Sequence, residues 1–254
     1  MVIIAHASLG EGGKVKNGQA GDQTKKEVCT RSWYSKPWNY VIRFKPASMR
    51  DRIAFCMEAA AENDHIGYDQ NQRNTLLNKA RKYNYDISKV TEDCECDCSS
   101  LVSVACMYAG VPESLLVMGG NCATTRTIKN LLKLTGEVEV FQTALYTGRP
   151  ERLMRGDILL AEGSHVAVVV KEDNTNPYKL SKVSLTIGCK GESVKWLQWQ
   201  LNHCGAALNV DGIFGRQTKL AVMIFQKDND DDSGVPLKVD GIAGSKTISA
   251  LKRT

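Results

Sequence analysis

The stretch Asp97-Cys98-Ser99-Ser100-Leu101-Val102 decides how the larger part of this sequence folds. Beyond Cys98 the apolar residues keep the spacing of a helix that packs one face on a core: Leu101, Val104, Ala105 and Tyr108. Asp97 is of a residue type that commonly caps the start of a helix. The stretch therefore predicts that Cys98 opens a buried helix.

A cysteine at this position is a candidate nucleophile. The free N–H groups and the positive end of the dipole at a helix start favour a thiolate over a thiol. We therefore expect the pKa of Cys98 to be lowered. The alternative is a buried structural cysteine that happens to follow a capping residue.

His165 is the candidate base for this thiol. Residues 156–170 predict a strand, a tight Glu-Gly-Ser turn and a second strand. Alternation along the second strand places three valines on one face and His165 with its small neighbours on the other: Val166, Val168 and Val170 against Ala167 and Val169. The small neighbours predict a reachable imidazole, and a base on a rigid strand can face a thiol at a helix start.

The segments DCSSLV, GDILL and SHVAVVV, in this order, resemble the NlpC/P60 family of papain-like peptidoglycan hydrolases over roughly residues 50 to 175. The resemblance implies an α+β papain-like fold with Cys98 as nucleophile and His165 as general base. It also implies that Tyr68 lies near the oxyanion. The backbone N–H of Cys98 or Ser99 would stabilise that oxyanion, so Tyr68 and Ser99 are the predicted substrate-binding residues.

The residue that orients His165 stays open. The family places a His, Asn or Gln on the strand after the histidine, whereas this sequence continues into turn-forming residues after Val170. The candidates come from that segment and from the N-terminal arm: Asp173, Asn174, Asn176, His6 and Asp22.

Cys94, Cys96 and Cys98 raise the alternative of a zinc site, which Cys106, Cys122 or His65 could complete. Their alternating spacing differs from the CxxC pairs usual in structural zinc sites. The total of nine cysteines is odd, which favours reduced thiols over a disulfide framework. We therefore predict no metal and no cofactor, and His65 is predicted to be a surface residue.

The C-terminal part contains an internal repeat, VDGIFG at 210–215 and VDGIAG at 239–244. It predicts three short helices over 193–202, 217–227 and 246–252. Their predicted core stripes are Val194, Leu197 and Leu201, then Leu220, Ile224 and Phe225, then Ile248 and Leu251. The pattern resembles the three-helix PG-binding-1 peptidoglycan-binding domain, in which the Asp-Gly turns are structural and not calcium sites. Trp196, Trp199 and Tyr178 either contact glycan or pack.

The predicted domains are a hydrolase domain over 1–175, a linker over 176–186 and a peptidoglycan-binding domain over 187–254. Residues 1–45 form an N-terminal arm within the first domain. Its aromatic residues either line a groove or anchor the arm to the core: Trp33, Tyr34, Trp38 and Tyr40.

Composition sets the remaining expectations. The 254 residues are 43% hydrophobic and 24% charged, and the sequence contains no apolar stretch long enough for membrane insertion. The net charge of +5 is not concentrated, so nucleic acid is not implied. The apolar start is too short for a signal peptide. We expect a protein made in the bacterial cytoplasm that reaches the cell wall with a membrane-permeabilising partner such as a holin.

Together these features predict a cell-wall lysin that cleaves an amide in the peptidoglycan stem peptide, as between D-Glu and the third residue. The runner-up is the lactyl amide of muramic acid, which would make the protein an N-acetylmuramoyl-L-alanine amidase. Two other classes remain: a non-catalytic peptidoglycan-binding protein and a zinc-stabilised binding module.

Overall fold

The computed structural model describes residues 1–8, 27–172, 176–182 and 184–253. The chain forms two compact units, Met1–Asp173 and Asn174–Thr254. Asp22, Asp173 and Asn174, three of the candidates for orienting His165, lie outside the described residues. Within the described ranges no helix is long and apolar enough to cross a membrane.

In the part of the chain that the structure describes, all strands belong to the first unit. In chain order they are β1 (Ile3–Ala7), β2 (Val28–Ser32), β3 (Tyr40–Phe44), β4 (Ile66–Tyr68), β5 (Cys94–Cys96), β6 (Val117–Met118), β7 (Asn121–Cys122), β8 (Val138–Phe141), β9 (Ile158–Ala161) and β10 (His165–Lys171). Among the described residues, one sheet has the order β2-β1-β10-β9-β3-β8 with antiparallel neighbours. Two small sheets pair β4 with β5 and β6 with β7.

The helices of the first unit are α1 (Ala47–Glu62), α2 (Thr75–Ala80), α3 (Cys98–Tyr108), α4 (Glu113–Leu116), α5 (Ile128–Lys133) and α6 (Ala144–Thr147). Short 3-10 turns cover Arg81–Tyr83, Ile87–Lys89 and Pro150–Arg152. The predicted helix opened by Cys98 is confirmed. Asp97 caps it by accepting from the backbone N–H of Ser100, whose hydroxyl lies within hydrogen-bond distance of the Asp97 backbone N–H.

Strand β10 is central in the sheet because both of its faces are apolar and β-branched residues suit a pleated surface. Val166, Val168 and Val170 pack into the core that contains α1 and α3. Ala167 and Val169 pack on the opposite face, in a second cluster with Trp38. The predicted alternation of this strand is confirmed, and so is the turn before it, where Gly163 adopts a φ of 74° that favours glycine.

The second unit contains α7 (Glu192–His203), α8 (Arg216–Lys227) and α9 (Ser245–Arg253), as the repeat predicted. Each VDGIxG turn is held by a buried glutamine from the preceding helix. Nε2 of Gln198 lies 2.8 Å from Oδ1 of Asp211 and 3.1 Å from the Ile213 carbonyl oxygen. Gln226 makes the same two contacts with Asp240 and Ile242. Oδ1 of each aspartate also accepts from the backbone N–H two residues on, Ile213 or Ile242, so the aspartates and the glutamines hold the turns together.

Two predictions for this part of the chain need correction. The segment 176–186 was predicted as a linker, but Leu185 is fully buried in the helical core and forms a backbone bridge with Ala243. The predicted stripe of α8 is wrong at Leu220 and Ile224, which are 59% and 57% exposed. Helical periodicity identifies the positions that share a face, but not how much of that face a neighbour covers.

Candidate functional site

The Cys98 thiol lies at the junction of α3 and β10. It is 8% exposed, and the backbone N–H groups of Val166 and Ser99 lie close enough to its Sγ to favour the thiolate. Val166 directly follows His165, so the helix start and the histidine strand meet at this sulfur. Two segments that are far apart in the sequence are thus brought close together.

The electrostatics of Cys98 are opposite to the sequence expectation. Burial, followed by the neighbouring Asp97 carboxylate, raises the pKa of the thiol to about 12. The N–H groups of Val166 and Ser99 and the Arg73 guanidinium oppose this rise without reversing it. Near neutral pH Cys98 is a neutral thiol, and a base must take its proton before or during any attack.

His6 is the described residue that contacts the His165 ring through a hydrogen bond. Nδ1 of His6 lies 2.9 Å from Nε2 of His165, and the two buried rings meet edge to face with centroids 5.1 Å apart. The contact arises because β1 pairs with β10 in the sheet. Asn176, another candidate, instead bonds the Trp196 carbonyl within the second unit.

Both imidazoles are held neutral. Burial lowers the pKa of His165 to about 3, with further lowering from His6, Lys36 and Arg31. Burial also lowers the pKa of His6 to about 4, with Arg31 and Lys36 adding to the effect. One proton joins Nδ1 of His6 to Nε2 of His165. When His165 donates it, its own Nδ1 is left as a free basic lone pair.

Trp38 covers His165, with ring centroids 6.1 Å apart. His165 is 6% exposed, so its ring is less reachable than its small strand neighbours suggested. The indole N–H of Trp38 donates to the Tyr34 carbonyl at 3.2 Å, which fixes the covering ring. The aromatic residues between β2 and β3 were the sequence signal for this contact. The prediction of an N-terminal arm over 1–45 is wrong, because the described part of this segment supplies β1, β2 and β3 to the six-stranded sheet.

Tyr68 and Ser99, the predicted substrate-binding residues, differ in what their side chains do. The Tyr68 hydroxyl accepts from Nε2 of Gln70 at 3.1 Å. Burial and the nearby Cys98 sulfur raise the pKa of Tyr68, so its hydroxyl keeps its proton. The Ser99 hydroxyl instead donates to Asp97 at 3.0 Å, and thus faces the cap of α3. The backbone N–H of Ser99 is the part that faces the sulfur.

Arg73 fixes the start of α3, and no motif in the sequence identified it. Its guanidinium bonds both Asp97 carboxylate oxygens, at 2.6 and 3.2 Å, and the Ser99 hydroxyl at 2.9 Å. It also donates to the carbonyls of Cys122 and Ala123 at 2.9 and 2.8 Å. One planar side chain thereby ties the capping residue of α3 to the end of β7 and the residue after it.

We expect Arg73→Met to destabilise the first unit by about 3 kcal/mol, because it leaves the Asp97 carboxylate largely buried without its cationic partner. Urea unfolding of the full chain, followed by tryptophan fluorescence and circular dichroism, measures the loss. Arg73→Lys is the matched control, since it keeps the charge but not the fork, and should lose less. An unchanged urea midpoint for Arg73→Met would show that the network does not stabilise the fold.

Cys94 and Cys96 lie on β5, where their thiols donate to carbonyls of the preceding loop and of β4. The acceptors are the His65 carbonyl at 3.6 Å and the Gly67 carbonyl at 3.4 Å. His65 lies at the surface and pairs with Asp93 at 2.7 Å. Within the described residues, no group of three or more His, Cys, Asp or Glu side chains is arranged to hold a metal.

The described geometry defines a mixed α/β unit in which a helix-terminal thiol lies against the strand that carries His165, and a second histidine contacts the His165 ring. Comparison with family models matches residues 4–176 to the endolysin-like domain and residues 190–251 to the PG-binding-1 peptidoglycan-binding domain. The chain belongs to the endolysin-like domain family. The second match accounts for the helical unit with its repeated turns.

Two solved structures are similar over part of the chain. A Burkholderia AP3 phage endolysin is 42% identical over 28% of this chain and 25% of that chain, with a TM-score of 0.25. A peptidoglycan-binding protein from Clostridioides difficile, in complex with glutamine hydroxamate, is 26% identical over 38% of this chain and 71% of that chain, also with a TM-score of 0.25. This chain thus spans about a quarter of the phage endolysin. A comparison with curated proteins found no match.

Proposed function

We propose that the chain is a papain-like cysteine hydrolase of the NlpC/P60 kind that cuts an amide bond in the peptidoglycan stem peptide. The observation that carries this proposal is that the Cys98 thiol, at the start of α3, lies against β10 at Val166, the residue that follows His165. The membership of the first unit in the endolysin-like domain family and the peptidoglycan-binding match of the second support the choice of substrate.

The proposed reaction begins when the Cys98 sulfur attacks the amide carbonyl carbon while His165 takes the thiol proton. The carbonyl becomes an oxyanion, and the C–N bond then breaks as His165 returns the proton to the leaving amine. This leaves a thioester on Cys98. Water adds to the thioester, gives a proton to His165 and releases the carboxylic acid. Cys98 recovers its proton from His165.

The neighbouring groups have distinct parts in this scheme. His6 is the proposed positioning residue: with the shared proton on Nε2 of His165, Nδ1 of His6 accepts it and the basic Nδ1 of His165 is left free. The backbone N–H groups at the start of α3 are the proposed oxyanion donors, together with the Tyr68 hydroxyl. Tyr68 suits this part because it accepts from Gln70 and retains a proton to donate.

Digestion of purified cell-wall sacculi by the full chain tests the proposed function. Hydrolysis of an amide must release new amino groups, whereas hydrolysis of the glycan must release reducing sugar ends. We expect amino groups to rise without reducing ends. Dinitrophenyl labelling of the new amino termini then separates a cut within the stem peptide from a newly freed amino group on L-alanine, which would indicate the amidase instead. Reducing ends without amino groups would overturn the proposal.

The second unit should act as a tether to the wall. A module that holds the enzyme on an immobile polymer raises the local substrate concentration around the first unit. Removing residues 174–254 should therefore lower lysis of intact cells by on the order of 100-fold. Hydrolysis of small soluble muropeptides should change little, because a tether does not help that reaction. Turbidity loss and muropeptide chromatography measure the two rates.

The boundary of this deletion follows from the structure, since Leu185 belongs to the core of the second unit and a later cut would leave it exposed. A fragment of residues 1–173 that retains its circular dichroism spectrum provides the folding control. Equal losses on cells and on soluble muropeptides would show that the second unit shapes the active site and is not a tether.

A further inference from the structure

Helix α8 carries more apolar surface than the core of the second unit covers. Ala221, Val222 and Phe225 face inward, while Leu220 and Ile224 remain 59% and 57% exposed. Exposed single apolar residues are common, but these two lie one helical turn apart and share a face. They form an apolar stripe that the fold of this unit does not use.

The exposed stripe lines a groove, which we call the α8 groove. Its other wall is the loop after α7, and its cavity volume is about 720 Å³. The apolar lining includes Leu220, Ile224, Ala206 and Ala207, and the polar lining includes Gln217 and Asn229. A volume of this size is within the range of sites that enclose a small-molecule ligand.

We propose that the α8 groove binds the N-acetylmuramyl-L-alanine portion of peptidoglycan. The inference rests on the proposed wall-lytic function and adds where, and by which part, the polymer is held. The residues of the α8 groove lie within the match to the peptidoglycan-binding domain, residues 190–251. The groove is therefore located on the unit that this family match associates with the wall polymer.

The chemistry of the groove selects this portion of the polymer. Muramyl-alanine carries three methyl groups, on the acetamido, lactyl and alanine parts, which suit the apolar floor formed by Leu220 and Ile224. Its amide groups can bond carboxamides such as Gln217. Among the lining residues, Asp228 and His203 are those that can carry charge, and neither provides a permanent cation for a carboxylate. The acidic end of the stem peptide is thus less well matched than its start.

Binding of the full chain to purified sacculi tests the α8 groove. Cys98→Ala serves as the background so that the polymer stays intact during the measurement. In that background, Leu220→Gln combined with Ile224→Gln should weaken retention about 10-fold, because glutamine keeps the helix but removes apolar contact. Val235→Gln is the matched control, since Val235 is 54% exposed and lies outside the α8 groove. It should bind like the unsubstituted background.

Soluble N-acetylmuramyl-L-alanine provides the direct probe. In the full chain it should shift the methyl NMR signals of Leu220 and Ile224 and leave that of Val235 unchanged. Full retention of the double variant on sacculi, or no shift at millimolar probe, would overturn the inference. So would sedimentation showing that the double substitution abolishes self-association of the chain, since the occupant would then be a second copy.

A parallel assay separates this inference from the proposed function. The unsubstituted chain is tested for hydrolysis of soluble muropeptides. If the chain hydrolyses no muropeptide but the double substitution still weakens its retention on sacculi, the proposed function is wrong and the α8 groove is supported as a binding site. If the chain hydrolyses muropeptides but the double substitution does not change its retention, the proposed function is supported and the α8 groove is not the binding site.

Discussion

Replacing Cys98 with alanine is expected to reduce lysis of cell walls by about 10⁴-fold or more while leaving the fold and wall binding intact. The proposed reaction has no substitute for the sulfur, because the thioester forms on this atom. The lost side chain is small, and alanine suits a helix start that Asp97 and Ser100 already cap. Dye release from labelled sacculi measures the rate, and co-sedimentation with sacculi measures binding.

Cys106 offers a matched control for this substitution. It lies on the same helix, is fully buried and has a raised pKa through burial alone. Cys106→Ala should therefore cost some stability but retain lysis at a temperature where the protein is folded. Chelation with EDTA should not change the lysis rate of the unsubstituted chain or of Cys106→Ala. Substantial lysis by purified Cys98→Ala protein would remove the thiol from the mechanism.

Replacing His165 with glutamine should reduce the hydrolysis of soluble muropeptides on the order of 10³-fold, the usual contribution of a general acid and base. In the unsubstituted chain the base is neutral above its lowered pKa of about 3. Protonation therefore inactivates it only in strong acid. We expect kcat/KM to stay flat from about pH 8 down to about pH 5, with no midpoint near the pKa of about 6.5 usual for histidine.

His6→Asn supplies the test of the positioning residue. After burial, the largest cause that lowers the pKa of His165 is the positive charge of His6 when its ring is protonated. Its removal should move the acidic fall of kcat/KM to higher pH and reduce kcat, because asparagine keeps a hydrogen bond but not the ring contact. Circular dichroism across the same pH range separates inactivation from unfolding. An acidic midpoint near pH 6.5 in the unsubstituted chain would contradict the neutral-base account.

The sequence predicted Cys98 and His165 because each is part of a local pattern. Apolar spacing after Cys98 and alternation around His165 define a helix start and a strand, and both are observed. His6 could only be offered among several candidates, because its place beside His165 depends on the long-range pairing of β1 with β10. The sequence of one strand does not determine which distant strand it pairs with or in which register.

Other features could not be predicted because they depend on burial. The helix-dipole argument for a Cys98 thiolate considers only the local backbone, while desolvation by the surrounding core raises the pKa of the thiol. Arg73 was missed because two of its partners are backbone carbonyls, which any sequence provides. Leu220 and Ile224 satisfied the helical pattern, but the residues that would cover them are not there within the described second unit.

The most direct test of the central claim is mass spectrometry of purified muropeptides before and after digestion, with the unsubstituted chain and with Cys98→Ala. The unsubstituted chain should convert each substrate into two products whose masses sum to the substrate plus one water, with the cut at an amide of the stem peptide. Cys98→Ala should leave the muropeptides unchanged. A cut within the glycan, or the same products from Cys98→Ala, would contradict the account.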